Sequence, residues 1–487
     1  MKTKIAGFFK HENNVLIVVL SVLFVFFLII LWKTEGYIGE ADSLTHYRFS
    51  RYSWRFPEFL LHHWAKPLFT LLTSPFAQFG HGGMAVFNLL AGLASAYLAW
   101  LSARKLGYNS RYLIPVMLFF MPVYSLNVLS GLTEVLFGLN IILTTYLCLD
   151  KKYLPAAIVI SFSPMVRTEG IILMAVFGLF FLIKKQYRYI PWFLTGSLVY
   201  SIIGYFYFND FFWLITQMPY AEGAVDLYGK GKITYFVDVS SKIFGPFTAI
   251  MIALGIVLII IDLVRKRTKT IYDEALLVLL PFVIYFVAHS VMWWSGIGKS
   301  FGMHRYMIAI MPLGALLTIR AFNLMKNYFD SLTQKKTYGI IFTIIFTVLI
   351  ISQPFKILPA FPQKFGVMDK VMYEASRYIT ENDLNKNKIY YYDPAFFYFI
   401  GFDPFDPDQA REFVPNPENP QIDIKENEIV IWDGHFSHLL NLNLDSLKAS
   451  PYFNELAIFE PPYTIIVFGK EYKVGIFQRN SKPYTEE

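Results

Sequence analysis

Long runs of apolar residues constrain this chain more than any other feature of its sequence. Val15–Leu31 contains no charged residue, and Ile250–Ile261 is equally apolar. A helix needs about 20 apolar residues to cross roughly 30 Å of hydrocarbon. Only 16% of the residues are charged and 55% are hydrophobic, which leaves too few charges to cover the surface of a soluble domain. The sequence therefore predicts a polytopic α-helical membrane protein.

The lengths of the apolar runs predict about eleven transmembrane helices. We place them at residues 15–32, 83–102, 111–128, 131–149, 153–165, 170–183, 190–208, 244–261, 275–293, 305–320 and 338–353. Clusters of Lys and Arg occur before the first helix and at every second boundary after it, which is the positive-inside pattern. This alternation predicts a cytoplasmic N-terminus, a transmembrane domain over residues 1–353, and a small extracytoplasmic α/β domain over residues 354–487.

The net charge of +7 does not indicate nucleic-acid binding. The basic residues lie in short clusters between apolar runs, whereas a nucleic-acid-binding protein carries a basic patch or stripe. We therefore predict that the lipid bilayer surrounds most of the chain and that no nucleic acid is a partner.

Two of the predicted helices are unusually short. Residues 153–165 and 170–183 give lengths of about 20 Å each at 1.5 Å per residue, which is less than the bilayer thickness. Both adjoin cytoplasmic lysines, so they should meet below the outer surface at a turn that contains Arg167 and Glu169. A charged turn at that depth must face protein or a water-filled cavity. The two side chains could also form a purely structural ion pair.

The first outer loop carries two carboxylates, Glu40 and Asp42, soon after the first predicted helix. A carboxylate in this place can accept the proton of an attacking hydroxyl. Further along, His62 and His63 precede Lys66, whose ammonium group can hold a phosphate as a point charge. Solvated loop charges would produce the same local pattern, so the loop alone does not decide the function.

Two further segments bring charged residues to the same predicted face. Glu134 follows Thr133 at the outer start of the fourth helix, where an acid facing the helix dipole is the structural alternative. Arg305 lies between His304 and Tyr306 at the start of the tenth helix. Its guanidinium could clamp a phosphate through two hydrogen bonds, or it could reach to the interface from the helix end.

The histidines leave the question of a metal open. His62, His63, His289 and His304 lie in or near the predicted outer segments. A cluster of histidine and aspartate could bind a divalent metal, but no spacing in the sequence resembles a metal site. We therefore predict no cofactor.

Several short motifs resemble those of the GT-C superfamily of polyprenyl-phosphate-sugar glycosyltransferases, which includes protein mannosyltransferases and aminoarabinose transferases. The resemblance covers residues 1 to 353. It rests on Glu40-Ala41-Asp42, Lys66-Pro67-Leu68, Thr133-Glu134, Arg167-Thr168-Glu169-Gly170 and Arg305-Tyr306. Many members have two adjacent acids or Asp-x-Asp, and Lys-Pro-Pro. The departures here leave the identity of the base and the subfamily unassigned.

The resemblance implies transfer of a sugar from a polyprenyl-phosphate donor to a hydroxyl of a lipid, glycan or protein acceptor, with inversion at the anomeric carbon. Asp42 or Glu40 would act as the base, and the donor phosphate would face Lys66, Arg305 and Arg167. The expected substrate-binding residues are His62, His63, Glu134, Glu169, His304 and Tyr306. The resemblance and the compact loops favour a bacterial inner membrane, although the endoplasmic reticulum would satisfy the same physical constraints.

Other classes of membrane protein remain as alternatives. A transporter or flippase of lipid-linked glycans would place its polar site near the bilayer midplane, and such proteins often contain internal repeats, which this sequence lacks. A receptor would have no need of a buried Arg167 and Glu169. A ligase or polymerase of lipid-linked glycans would share much of the chemistry but use a pyrophosphate-linked donor.

Two regions outside the predicted helices each allow more than one interpretation. The second outer loop, residues 209–243, contains Glu222, Asp226, Lys230, Lys232 and three glycines, and could form a mobile flap or an ordinary loop. In the C-terminal domain we predict one helix at 367–381 and strands at 388–392, 428–432, 464–468 and 472–477. Its distinctive polar residues are Asp393, Asp433, His435 and His438, for which we favour a role in turns at strand ends.

Overall fold

The protein divides into two compact units. One comprises Met1–Gly39 and His46–Gln363, and the other comprises Glu40–Thr45 and Lys364–Glu487. The structure, a computed structural model, describes residues 12–218, 229–265, 270–297, 300–331 and 337–482. Glu222 and Asp226 of the proposed flap lie outside the described residues.

The first unit is built almost entirely from helices. Its α-helices are Glu12–Lys33, Glu40–Tyr52 (whose first turn belongs to the other unit), Pro67–Ala77, His81–Lys105, Ile114–Phe119, Pro122–Asn127, Glu134–Leu149, Tyr153–Ser161, Gly170–Ile183, Thr195–Phe208, Trp213–Thr216, Tyr235–Asp238, Ser240–Phe244, Pro246–Arg265, Ile271–Glu274, Leu280–Ser295, Met311–Ser331 and Thr337–Ile357. Short 3₁₀ segments cover Pro57–Leu61, Arg111–Leu113, Ser163–Met165, Tyr187–Leu194 and His304–Ile310, and a π-helical turn covers Ala275–Leu279.

Six helical stretches among the described residues are long and apolar enough to cross a membrane. They are Glu12–Lys33, His81–Lys105, Pro246–Arg265, Ile271–Ser295, His304–Ser331 and Thr337–Ile357. The predicted helix at residues 111–128 is instead divided into three short segments, because Pro115 and Pro122 each lie near the start of a new helix. Proline lacks the N–H that a continuous helix needs, but it suits a first helical turn.

The structure contains the predicted pair of short helices, Tyr153–Ser161 and Gly170–Ile183. Gly170 lies so close to the preceding chain that a Cβ atom there would come within 2.4 Å of the carbonyl carbon of Ser163. The Ser163 hydroxyl donates a hydrogen bond to the Gly170 carbonyl over 3.2 Å. This close approach fixes the turn that carries Arg167.

The second unit contains a five-stranded mixed sheet. Its strands are β1 Ile389–Tyr391, β2 Ala410–Glu412, β3 Ile429–Asp433, β4 Phe453–Phe459 and β7 Val474–Arg479, in the spatial order β2-β1-β3-β7-β4. The first three strands pair in parallel, and β7 and β4 add to the sheet in antiparallel fashion. A separate hairpin joins β5 Ile466–Val467 to β6 Lys470–Glu471.

The sheet is completed by helices and a shared core. The helices of this unit are Val367–Glu381, Ala395–Ile400, Phe436–Leu439 and Leu444–Ala449, with 3₁₀ turns at Leu384–Lys386 and Pro420–Ile422. One face of the sheet packs Tyr390, Val430, Trp432 and Phe477 into a common apolar cluster. The sheet and helices together therefore form an independent hydrophobic core.

Asp393 lies just after the carboxyl end of β1, and Asp433 is the last residue of the neighbouring parallel strand β3. The Asp433 carboxylate accepts hydrogen bonds from the backbone N–H groups of His435 and Phe436, and Asp393 accepts one from Ala395. Burial raises the pKa of both carboxyl groups above their usual range. Each side chain thus organises the turn that leads from its strand into the next helix, which is the structural role we favoured.

Candidate active site

Arg167 is the centre of a buried charged cluster in the first unit. One terminal nitrogen lies 2.8 Å from Glu134 and donates to the Thr133 hydroxyl over 2.9 Å. The other terminal nitrogen lies 2.8 Å from Glu169. The guanidinium also lies over the ring of Tyr306, 5.4 Å from its centroid. Two carboxylates therefore neutralise Arg167 and hold it in one orientation.

Glu134 is the buried first residue of the helix Glu134–Leu149, and a side chain of another helix holds the turn that precedes it. The Asn88 amide donates hydrogen bonds to the carbonyl oxygens of Ser130 and Leu132, over 2.6 and 2.9 Å. The Glu134 side chain is 2% exposed, which is unusual for a carboxylate unless it is paired. Glu134 therefore contributes a buried carboxylate to the cluster in addition to beginning the helix.

Lys66 reaches the same turn from the first loop. Its ammonium group donates a hydrogen bond to the Thr168 hydroxyl over 2.8 Å, and the residue is 7% exposed. Its backbone has φ of 67° and ψ of 103°, outside the regions that most residues adopt. Burial lowers the pKa of Lys66 to about 8, although the nearby Glu169 carboxylate opposes this change.

Arg305 and Tyr306 enter the cluster from the 3₁₀ segment that precedes the helix Met311–Ser331. Arg305 Nε lies 3.5 Å from Glu134, and one terminal nitrogen donates to the Gly39 carbonyl at 3.5 Å. The helix that begins at Glu134 packs closely against this 3₁₀ segment because Gly138 has no side chain. A Cβ atom there would lie only 3.3 Å from the carbonyl oxygen of Ala309. Glu134 consequently contacts two arginines that are far apart in the sequence.

His289 and Tyr285 complete the cluster; from the sequence, we considered His289 only among four histidines for a metal site and did not name Tyr285. His289 Nε2 lies 4.0 Å from Glu169, and its ring stacks on Tyr306 with centroids 4.9 Å apart. Tyr285, one turn earlier, meets the His289 ring edge-on at 4.5 Å. Both residues lie in the apolar helix Leu280–Ser295, where the only sequence feature that could have indicated a site was the single histidine.

The other three predicted histidines have different partners. The Ala65 N–H donates to His62 Nδ1 at 3.2 Å, and the His62 ring stacks on Phe49. His63 Nε2 lies 3.0 Å from the Leu214 carbonyl. His304 Nε2 lies 3.2 Å from the Tyr235 hydroxyl. Burial lowers the pKa of His62 to about 4, so this ring is neutral near pH 7 and supports the bend that leads to Lys66.

Glu40 and Asp42 lie in the first turn of the helix Glu40–Tyr52. Glu40 is exposed, Asp42 is half-buried, and their contacts assign both residues to the second compact unit. The carbonyl that Arg305 contacts belongs to Gly39, the residue immediately before Glu40.

The cluster combines three cations, Lys66, Arg167 and Arg305, with two carboxylates, Glu134 and Glu169. The excess of one positive charge suits an anionic ligand such as a phosphate monoester or diester. Among the described residues, no group of three His, Cys, Asp or Glu side chains is arranged to hold a metal ion.

Comparison with solved structures finds a similar fold in two other proteins. ArnT from Cupriavidus metallidurans bound to undecaprenyl phosphate is similar with a TM-score of 0.61 and 10% identity, over 96% of this chain and 98% of ArnT. The same protein in the apo state gives 0.58 and 10%, over 94% and 97%. The arabinofuranosyltransferase AftD from Mycobacteria gives 0.52 and 11%, over 95% of this chain and 40% of AftD.

No family model matches the sequence, and no curated protein matches it. At about 10% identity, the structural likeness shows the fold alone. The chain therefore shares the fold of ArnT and AftD, which agrees with the fold class that the sequence motifs implied.

Proposed function

We propose that this protein is an integral membrane glycosyltransferase that takes its sugar from a polyprenyl-phosphate donor. The observation that carries the proposal is the meeting of Lys66, Arg167 and Arg305 around the carboxylates Glu134 and Glu169. These residues come from distant parts of the chain and are largely buried. Burial of charged groups costs desolvation free energy, so such clusters occur mainly where they stabilise the fold or bind a ligand. The excess positive charge of this cluster favours ligand binding.

The three cations have different parts in this proposal. Lys66 and Arg305 bind the donor phosphate and stabilise the charge that develops on it as the lipid phosphate leaves. Arg167 is already paired with Glu134 and Glu169, so it acts mainly by holding the turn on which Thr168 meets Lys66. The undecaprenyl phosphate in the ArnT structure supports a lipid phosphate as the natural ligand of this fold.

The transfer is a single displacement. Asp42, or Glu40, accepts the proton of the acceptor hydroxyl as its oxygen forms a bond to the anomeric carbon. The bond between that carbon and the phosphate oxygen breaks, and the electron pair stays on the phosphate. The anomeric centre is inverted. Support for a base in this segment is its position directly after Gly39, whose carbonyl contacts Arg305.

The remaining features of the proposal follow from the sequence. We propose about eleven membrane spans, a cytoplasmic N-terminus and an extracytoplasmic C-terminal α/β domain, in a bacterial inner membrane. The transferred group is a hexose or a related sugar. The acceptor is a hydroxyl group of a lipid, a glycan or a protein, and the reaction needs no cofactor.

A transfer assay with purified protein in lipid tests the proposal. Radiolabelled polyprenyl-phosphate sugars are supplied with cell-envelope acceptors, and the wild type is compared with Asp42→Asn, Glu40→Gln and Lys66→Ala. We expect the variant that lacks the base to lose at least about a hundredfold in rate. Glu58→Gln, which changes another acid of the same loop, serves as the control and should retain activity.

Three results would contradict the proposal. Full activity in both acid variants would exclude the proposed base. Wild-type activity in Lys66→Ala would exclude its role at the phosphate. Movement of the intact lipid-linked sugar across the vesicle membrane, without any transfer product, would identify a flippase.

A further inference from the structure

The helices Glu134–Leu149 and Gly170–Ile183 end in the same unusual way. The second residue beyond each helix is a lysine with a left-handed backbone, with φ of 60° at Lys151 and 56° at Lys185. Glycine is the usual residue in this position, because it has no Cβ atom and avoids the steric cost that other residues incur. Both lysines are exposed, so packing of their side chains does not explain why they replace glycine.

The two helix ends lie side by side. Tyr153 follows the first lysine and Tyr189 follows the second, and the centroids of their rings are 6.0 Å apart. The helix Tyr153–Ser161 also packs against the 3₁₀ segment Tyr187–Leu194. That segment contributes Arg188, whose exposed guanidinium lies 4.6 Å from the centroid of the Tyr189 ring. Three exposed cations thus form a basic patch: Lys151, Lys185 and Arg188.

The acidic residues beside these helix ends form ion pairs with other lysines. Asp150 pairs with Lys105 and Lys152, and Asp273 pairs with Lys184. These lysines occupy the two carboxylates, so the three cations of the basic patch add positive charge that Asp150 and Asp273 do not neutralise. The patch therefore attracts an anionic group from outside the protein.

Apolar side chains that are about half exposed flank the basic patch. They are Leu182, Ile183, Tyr187, Trp192 and Leu194. In a protein that spans the membrane, tryptophan and tyrosine are enriched at the level of the lipid headgroups, and lysine and arginine extend toward the same level. A ligand that suits both kinds of side chain combines an anionic headgroup with hydrocarbon chains.

We propose that the basic patch binds the headgroup of an anionic phospholipid in the leaflet that we predict to be cytoplasmic. The headgroup phosphate accepts hydrogen bonds from the three cations, and the acyl chains lie along the exposed apolar side chains. A zwitterionic lipid carries an ammonium group that the patch repels, so the patch prefers a headgroup with a net negative charge. None of the residues proposed for sugar transfer belongs to the patch, so this inference is independent of the proposed function.

The test measures lipid binding to the purified full-length protein in neutral detergent by native mass spectrometry. Phosphatidylglycerol is the anionic probe and phosphatidylcholine is the zwitterionic one. The double variant Lys151→Gly with Lys185→Gly should bind phosphatidylglycerol about twentyfold more weakly, at about fivefold for each lost cation, with little change for phosphatidylcholine. Its unfolding temperature without lipid should not fall, because glycine adopts the left-handed conformation at no steric cost.

Two further variants separate lipid binding from other roles of the lysines. Lys151→Arg with Lys185→Arg keeps both charges and should keep the preference for phosphatidylglycerol. Lys230→Gln with Lys232→Gln removes two exposed cations from the second outer loop and should also keep it. Unchanged affinity for phosphatidylglycerol in the glycine variant would overturn the proposal. A twentyfold loss in the arginine variant or in the control would do so too, because the effect would then not depend on positive charge in this patch.

Discussion

Among single residues, Lys66 combines a buried ammonium group with a backbone conformation that few residues adopt. Burial lowers its pKa to about 8, so a fraction of the free protein loses this charge at mildly alkaline pH. If Lys66 binds the donor phosphate, donor affinity should be nearly constant below about pH 7, begin to fall near pH 8 and approach a decrease of about tenfold per pH unit at higher pH. An unperturbed lysine would retain its charge until about pH 10.

The measurement is the donor dissociation constant from pH 6.5 to 9.5. Lys66→Arg is the control, because arginine stays protonated over this range, and its profile should be flat whatever its absolute affinity. An identical decline in Lys66→Arg and wild type would show that another group is responsible for the pH dependence.

Arg167 should contribute more to stability than to phosphate binding. Arg167→Met leaves Glu134 and Glu169 buried without their central partner, which should lower the free energy of unfolding by about 3–5 kcal/mol. Adding Glu134→Gln and Glu169→Gln removes the uncompensated charges, so the triple variant should regain most of this loss. Thermal unfolding in detergent measures both. If the single variant is as stable as wild type, the turn does not depend on this ion triad.

At the level of helices, the turn between Tyr153–Ser161 and Gly170–Ile183 depends on the absence of a side chain at Gly170. A Cβ atom there would overlap the backbone of Ser163, so Gly170→Ala must displace the turn that carries Arg167 and Thr168. Misplacement of this kind costs up to about a hundredfold in rate. Gly178→Ala in the same helix meets no atom within 4 Å and should retain full transfer activity. Equal rates for the two variants in the transfer assay would exclude the proposed sensitivity.

The two short helices could be predicted from the sequence because their lengths and flanking charges are local properties. Pro115 and Pro122 indicate that residues 111–128 are divided, but the continuous apolar run led us to predict a single helix. Strands β2, β4 and the two-residue β6 were not predicted. β2 has only three residues, and β4 has no regular alternation of apolar and polar residues; both depend on pairing with neighbouring strands that are distant in sequence.

The site was predictable where a charged residue interrupted an apolar run, as at Arg167, Glu134 and Arg305. Tyr285 and His289 were not, because their i,i+4 spacing in an apolar helix is equally typical of core packing. The sequence also could not show which residues each charged side chain would pair with. The pairing of Arg167 with both Glu134 and Glu169, which changes its expected role, emerges only from the packing of three helices.

Among the described residues of the first unit, ion pairs form within two groups that agree with the predicted sidedness. Residues that we predict to be cytoplasmic pair with one another: Arg111 with Glu12, Lys105 and Lys152 with Asp150, and Lys184 with Asp273. Residues predicted to lie toward the outer face also pair with one another, as Arg167 and Arg305 do with Glu134. Each of these contacts therefore joins residues that the predicted topology places on the same side of the membrane.

This agreement leads to a topology prediction that can be tested without knowing the substrate. Cys148 is buried, and replacing it with serine gives a background for single cysteines. Trp54, in the first loop, and Lys152, in a basic cluster, are both exposed. On intact cells, a membrane-impermeant maleimide should label Trp54→Cys, whereas Lys152→Cys should require permeabilisation, because basic loops remain in the cytoplasm. The reverse pattern would move Lys66 and Arg305 to the cytoplasmic side, where an extracytoplasmic transfer reaction could not occur.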